Sequence, residues 1–232
     1  MRCQSLAWLP VVIVLGLNCS DKITSPQYLN QFPLRVGMFW DYQSRNYTLH
    51  RRIVDVHKGP QDTWWYQLET ALSDKDDPLG TVIRFTFLAF DRNQLREYEY
   101  RDCAAIYNVL LQPPLSLGNS WLKYSSGTCV TGPCDSLGRC PVVFRIQIYD
   151  QDSIIAYSDI MTPASYFRNC IVIQETGGAH EFRTASFKPG VGFVRYEGFY
   201  TGRYNSNWDE RVDFILTDFG RKTVSYLSGL NP

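Results

Sequence analysis

The side chains of this sequence that could carry chemistry are few, and the cysteines come first. Beyond Cys3 and Cys19 they are Cys103, Cys129, Cys134, Cys140 and Cys170. Cys129, Cys134 and Cys140 stand in a C-x4-C-x5-C spacing within a stretch that also holds glycine and proline. In an oxidising compartment two of them could close a small loop, and Cys129 with Cys140 is the expected bridge, since strands leaving one loop bring its ends together. The same three thiols could instead hold zinc, but the spacing lacks the C-x2-C pairs that set up a tetrahedral site, and no histidine lies near. The odd count leaves at least one thiol over, and Cys170, inside an apolar run, reads as a small buried hydrophobe.

His50, His57 and His180 are scattered, and no G-x-S-x-G elbow, H-E-x-x-H helix or glycine-rich phosphate loop accompanies them. His180-Glu181 reads as a solvated pair beside a hairpin turn. Asp74-Lys75-Asp76-Asp77 and Asp150-Gln151-Asp152 offer oxygens of the kind calcium takes, yet without the further spaced ligands of a calcium loop they read as acidic turns. No cofactor or metal is expected. The better surface candidate is the segment 198–209, where Phe199, Tyr200, Tyr204 and Trp208 stand among Asn205 and Asn207. Aromatic faces beside amides suit a sugar or a peptide, and the competing reading packs these rings on a sheet.

The N-terminus adds a different chemistry. Arg2 precedes an apolar run from Leu6 to Leu17, about a dozen residues and too short to span a bilayer, and Asn18-Cys19-Ser20-Asp21 follows at once. Leu15-Gly16-Leu17-Asn18-Cys19 resembles a lipobox, in which the exported cysteine takes a diacylglycerol and the chain is cut before it. Asn18 is bulkier and more polar than the small residue usual there, so ordinary cleavage and secretion is the alternative. On the first reading 1–18 is a signal peptide, Cys19 the lipid attachment site, and 19–32 a polar tether. Each buried methylene of the acyl chains would add about 0.8 kcal/mol to anchoring. The protein would then sit in a bacterial cell envelope, at the outer membrane or the cell surface.

These residues must be positioned by strands. The chain of 232 residues is 15% aromatic and has 23 lysines and arginines against 23 aspartates and glutamates. The balance of charge leaves no field to attract nucleic acid, and the aromatic and β-branched content favours pleated strands. A phrase of form P-L-x-[V/L]-G-x-x-W occurs twice, as Pro33 to Trp40 and Pro114 to Trp121, and each copy is followed by a tyrosine, Tyr42 and Tyr124. Both phrases read as anchors that open a run of antiparallel strands, with Trp40 and Trp121 in the core. A single β domain over 33–225, divisible into related halves 33–112 and 113–225, is the expectation.

Between the anchors, Thr81 to Phe90 alternates, and its uniformly apolar side, Ile83, Phe85, Phe87 and Ala89, is expected to face the core. Gln94 to Tyr100 should return as a polar, solvent-facing strand, and Ala104 to Leu111 fits a short helix or a buried strand. Of Trp64 and Trp65, one should be core and the other exposed. In the second half, Ser125 to Pro141 reads as a loop and Asp150 to Ser153 as a turn. About eleven short strands with turn signals between them predict an all-β fold, a curved antiparallel meander or barrel-like sheet with little helix apart from the signal segment.

Three phrases resemble those of uncharacterised bacterial cell-envelope lipoproteins: Pro33 to Trp40, the corner Thr162-Pro163-Ala164-Ser165-Tyr166-Phe167-Arg168-Asn169-Cys170, and Pro189-Gly190-Val191-Gly192-Phe193-Val194. The resemblance implies an envelope location and a β-sheet fold, and it implies no activity. The expected role is a lipid-anchored binding or structural module, reaching the membrane through its N-terminal lipid and taking a glycan, lipid or protein partner. An enzyme with a site assembled from dispersed polar residues is the alternative.

Overall fold

A computed structural model describes residues 32–58, 63–91, 93–99, 106–130, 142–177, 182–203 and 210–222, with 78, 99, 106, 123–130, 142–149 and 203 described by their backbone alone. Twelve strands appear in chain order: β1 (Met38–Gln43), β2 (Tyr47–Lys58), β3 (Trp64–Asp74), β4 (Val82–Asp91), β5 (Gln94–Glu99), β6 (Ile106–Leu111), β7 (Ser120–Val130), β8 (Val142–Met161), β9 (Tyr166–Gly177), β10 (Thr184–Lys188), β11 (Gly192–Tyr200) and β12 (Arg211–Arg221). They form one antiparallel sheet in the order β6-β5-β4-β3-β2-β1-β12-β11-β10-β9-β8-β7. Each strand pairs with its neighbours in sequence except β6 with β7, and β1 pairs with β12, the first described strand with the last. The result is an all-β, nearly closed barrel. Its seam lies between β6 and β7, which rest against each other. Trp121 Nε1 donates to Val109 O across that seam at 3.3 Å, and Asn119 Nδ2 to Gln112 O at 3.0 Å.

The two P-L-x-[V/L]-G-x-x-W phrases build the same local structure. Gly37, with φ +89°, donates its N–H to Ile53 O, and Gly118, with φ +81°, donates to Ile154 O, both at 2.8 Å. Met38 N bonds Arg35 O, and Asn119 N bonds Ser116 O, both at 3.0 Å. The register then shifts between Ile53 and Asp55 on β2 and between Ile154 and Ala156 on β8. A positive φ suits glycine here because an L side chain would crowd its own backbone. Leu34 and Leu115 are buried beneath the two turns, as are the following Trp40 and Trp121.

The end of the barrel where β1 begins is called the entry end. It also carries the turn between β2 and β3, the β8–β9 corner and the β10–β11 turn. Phe32 plugs it from inside, its ring 5.6 Å from Trp40, 6.1 Å from Phe187 and 6.4 Å from Phe193. Trp40 Nε1 donates to Val191 O at 2.5 Å, which brings the first anchor phrase onto the Gly190-Val191-Gly192 turn. A Cβ on Gly192 would stand 2.8 Å from that indole nitrogen, so the close approach requires glycine.

Several expectations are corrected. On β4 the side expected to be core is mostly outward: Ile83 and Phe85 are 57% and 48% exposed and Phe87 is half-buried, with only Ala89 of that side fully buried, whereas Thr86 and Leu88 of the other side are buried. The interior at that height is polar, and it takes Thr86 where a local rule would send it to water. For the same reason β5 is no solvent-facing strand, since Leu95, Arg96, Glu97 and Tyr98 are all buried. Of the two readings of Ala104 to Leu111, residues 106–111 bear out the buried strand; β7, by contrast, runs on to Val130 through the expected loop, and Asp150 to Ser153 lies within the continuous 20-residue β8. Trp64 is exposed, and Trp65, on the outer face, stacks on Tyr98 at 4.4 Å.

Candidate functional site

Inside the barrel, β2, β4, β5 and β11 converge on one cluster of polar side chains. Period-two alternation along β2 turns Tyr47, Leu49, Arg51 and Ile53 inward and leaves His50 and Arg52 outside. Arg51 Nη2 donates to Glu97 Oε1 at 3.2 Å, and Arg51 Nη1 donates to the Tyr196 hydroxyl at 3.0 Å. The Thr86 hydroxyl donates to the same Glu97 oxygen at 2.7 Å. The side chains of Arg51 and Glu97 are only 9% and 5% exposed, so the ion pair is out of water. Glu97 Oε2 and Thr70 Oγ1 are buried without a hydrogen-bond partner among the described residues.

Tyr42 lies beside this cluster, its ring 5.5 Å from that of Tyr196 and its hydroxyl donating to Phe193 O at 2.9 Å. Burial pushes its hydroxyl well above the ordinary tyrosine range, and Tyr196 adds to the shift. Tyr42 is therefore a neutral donor at any physiological pH. Below it, Phe32, Trp40, Leu68, Leu88, Leu110 and Phe193 enclose a cavity that Arg51 and Tyr42 also touch. It offers about 10 Å³ to the centre of a water-sized sphere, enough for one water molecule. The other half of the barrel buries Asp150, Asp152 and Glu175, with Asp152 directly opposite Glu175 in the ladder. The interior thus holds its charges in a middle layer, with Trp40, Leu68 and Leu88 buried toward the entry end and Leu49, Leu72, Phe199 and Phe214 toward the far end.

The remaining titratable groups sit apart from this interior. His50 Nδ1 lies 2.9 Å from Asp41 Oδ1 on the outer face, and the hydrogen bond to that carboxylate raises the imidazole pKa against the opposing effect of partial burial. His57 Nε2 is 3.4 Å from Asp55 Oδ2, also outside. His180 lies outside the described residues. Among the described residues no group of three or more histidines, cysteines and acids is placed to hold a metal. Asp74 and Asp77 instead accept backbone N–H groups, from Asp76 and Gly80, as turn acids do. Asp150 and Asp152 are inward-facing strand residues.

Of the aromatic candidates, Phe199 is 2% exposed, with its ring 5.5 Å from Tyr196 and 5.4 Å from Phe214. It is a core residue, not a surface contact. Tyr200 is half-buried beneath the Arg211 guanidinium, 5.5 Å from its ring centre, and Tyr204 and Trp208 lie outside the described residues. Cys129 falls on β7 opposite Phe144, while its side chain and the whole of Cys19 and Cys140 lie outside what is described. Cys170 is a free, fully buried thiol whose pKa burial pushes up to about 11.

Compared with family models, with curated proteins and with solved structures, the chain matches none. The interior cluster therefore stands on its geometry. Sequence reasoning missed Arg51, Thr86 and Glu97, because each alternates with residues that read equally well as the core side. The one local signal was the β2 alternation Tyr47, Leu49, Arg51, Ile53, in which a lone arginine occupies an apolar series.

Proposed function

We propose that this chain is a lipid-anchored protein of a bacterial cell envelope, with Cys19 as the acylated residue, and that its barrel is a binding or structural module. The observation that carries the reading is the filled interior. Between Phe32, Trp40 and Arg51 the packing leaves a cavity with room for about one water molecule. Within that interior Arg51 is engaged with Glu97 and Tyr196. What remains for recognition is the outside, where Ile83 and Phe85 lie open beside the charged ladder of Arg52 and Glu69. We read β1–β6 and β7–β12 as related halves, supported by the matching turns at Gly37 and Gly118 and the matching register shifts on β2 and β8.

Radiolabelled palmitate should label the wild-type protein and not Cys19→Ala, and the variant should leave the membrane fraction. Equal labelling of both would overturn the anchor. Cross-linking in intact envelopes should give a discrete adduct from a photoreactive side chain at Phe85 and none from one at Arg52. No adduct from either, with a catalysed turnover found in the purified protein, would overturn the module in favour of an enzyme.

A further inference from the structure

The entry end of the barrel combines two features that belong together at a lipid surface. Apolar tips project from it: Trp64 at the start of β3 and Met161 at the end of β8 are 55% and 68% exposed, and Leu117 and Tyr166 stand out beside them. Cations ring it: Arg35 before β1, Lys58 at the end of β2, Arg168 and Lys188 around the β8–β9 corner, and Arg221 and Lys222 closing β12. Register places these tips at one end, because Lys58 pairs with Trp64 and Met161 with Tyr166 as the last pairs of their hairpins. Arg168 lies over the Tyr166 ring at 5.8 Å, and Lys188 Nζ donates to Arg168 O at 2.7 Å.

The described acids at this end are engaged locally. Asp91 is paired with Arg96, Asp55 lies against His57, Asp159 accepts from the Tyr166 hydroxyl and the Asn169 N–H, and Asp218 accepts from Phe219 N. At the far end the most exposed apolar residue, Leu79, stands among Asp74, Asp76 and Asp77, which an anionic surface repels, and the neighbouring Lys75 is turned to the Ser44 and Arg45 carbonyls. Phe32 and Pro33, the first described residues, lie at this cationic end.

We propose that the entry end is a docking surface for an anionic phospholipid bilayer, with Trp64, Met161, Leu117 and Tyr166 seated among the headgroups and the lysines and arginines paired with phosphates. Rings and apolar tips partition to the headgroup level, and each cation near an anionic leaflet adds to the attraction. Such a face gives the anchored protein one orientation, with the far end presented away from the membrane. The inference deepens the anchored reading and rests on it for its biological setting, but the docking itself needs no acyl chain.

The test uses the mature chain from Cys19 onward carrying Cys19→Ser, sedimented with vesicles of phosphatidylcholine alone or mixed with phosphatidylglycerol. Binding to the anionic vesicles only, weakened by added salt, is expected. Arg35→Glu with Lys58→Glu and Arg168→Glu should reduce the partition by roughly a hundredfold. Arg45→Glu with Lys75→Glu, at the far end, should leave it unchanged, and circular dichroism checks that both variants are folded. Brominated lipids should quench the wild type more than Trp64→Phe. Failure to bind anionic vesicles at low salt, or an equal loss from the far-end variant, would overturn the docking face. Failure of palmitate labelling with vesicle binding intact would remove the anchor and leave the docking face standing.

Discussion

Removing Arg51 should cost far more than its share of hydrogen bonds, because of what it leaves behind. Glu97 is almost wholly buried, and of its two carboxylate oxygens one accepts from Arg51 and Thr86 while the other has no partner among the described residues. In Arg51→Met the methionine fills most of the volume, and the carboxylate keeps only the Thr86 hydroxyl. Breaking a buried pair from one side costs about 3 to 5 kcal/mol, since an uncompensated charge remains out of water. Glu97→Gln should cost less, as a neutral amide still accepts from Arg51, and it isolates the charge. For a chain of this length the Arg51→Met loss corresponds to a fall in Tm of roughly 6 to 20 °C. The double variant Arg51→Met/Glu97→Leu removes both charges, and replacing a whole buried pair by apolar groups is near neutral, so it should recover most of the loss. Urea unfolding of the wild type, Arg51→Met, Glu97→Leu and the double variant completes the cycle. Independent costs of about 1 kcal/mol or less that simply add would refute the claim that the pair is coupled and dry.

Three further outcomes follow from the same geometry. Trp40→Ala and Trp121→Ala should each lose about 3 to 5 kcal/mol in urea unfolding, as expected for a large ring removed from a core; wild-type stability in either would contradict its burial. Gly37→Ala and Gly118→Ala should differ although the two glycines hold equivalent turns, because a Cβ at 37 would stand 2.2 Å from Lys222 O whereas the space around 118 is open. Gly118→Ala should show only the strain of a left-handed residue, about 1 to 3 kcal/mol, and equal losses at both sites would be inconsistent with the contact at Gly37. The His50–Asp41 pair should stabilise the fold by about 1 kcal/mol or less, being exposed. Because the folded pKa of His50 is raised, that contribution is fully present below the unfolded value and disappears as pH rises through the folded one. NMR titration of His50 should move to lower pH in Asp41→Asn, and an unmoved titration would refute the assignment.

The strand plan was legible because its signals are local. Proline and glycine marked the two anchors, Asp91-Arg92-Asn93 marked a turn where Asn93 takes φ +62°, and period-two alternation marked β2 and β4. The facing of β4 was not legible. Alternation says that Ile83 and Phe85 share one side and Thr86 and Leu88 the other, and hydrophobicity alone chose the wrong side as core. That decision depends on Glu97 meeting Arg51 across 46 residues and Arg51 meeting Tyr196 across 145. No window of sequence contains such a pair. Asp150 to Ser153 misled for a related reason: acidic residues two apart read as a solvated turn, whereas here both aspartates point inward from one long strand toward the charged layer.

The charged layer has a consequence that neighbouring ladders cannot supply. Backbone hydrogen bonds between β2 and β3, β3 and β4, and β4 and β5 are indifferent to which residues they join, and a slip of one position in any of them turns every side chain to the opposite face. On β4 the two faces are both partly apolar, so burial would penalise a slip weakly: Ile83, Phe85 and Phe87 would enter the interior in place of Arg84, Thr86 and Leu88. The Arg51–Glu97–Thr86 contact removes that degeneracy. It joins β2 to β5 and β4 across three successive ladders, and a single slip in one of them would carry Glu97 to the outer face or leave Arg51 buried without its carboxylate. Several kcal/mol would then stand against the misregistered sheet, more than the exchange of one apolar face for another could return. A charged pair adds little to the stability of the correct barrel relative to a well-packed apolar one, but it separates the correct barrel from its shifted neighbours. Arg51→Met/Glu97→Leu should therefore keep its unfolding free energy while losing the single set of backbone resonances that a unique register gives.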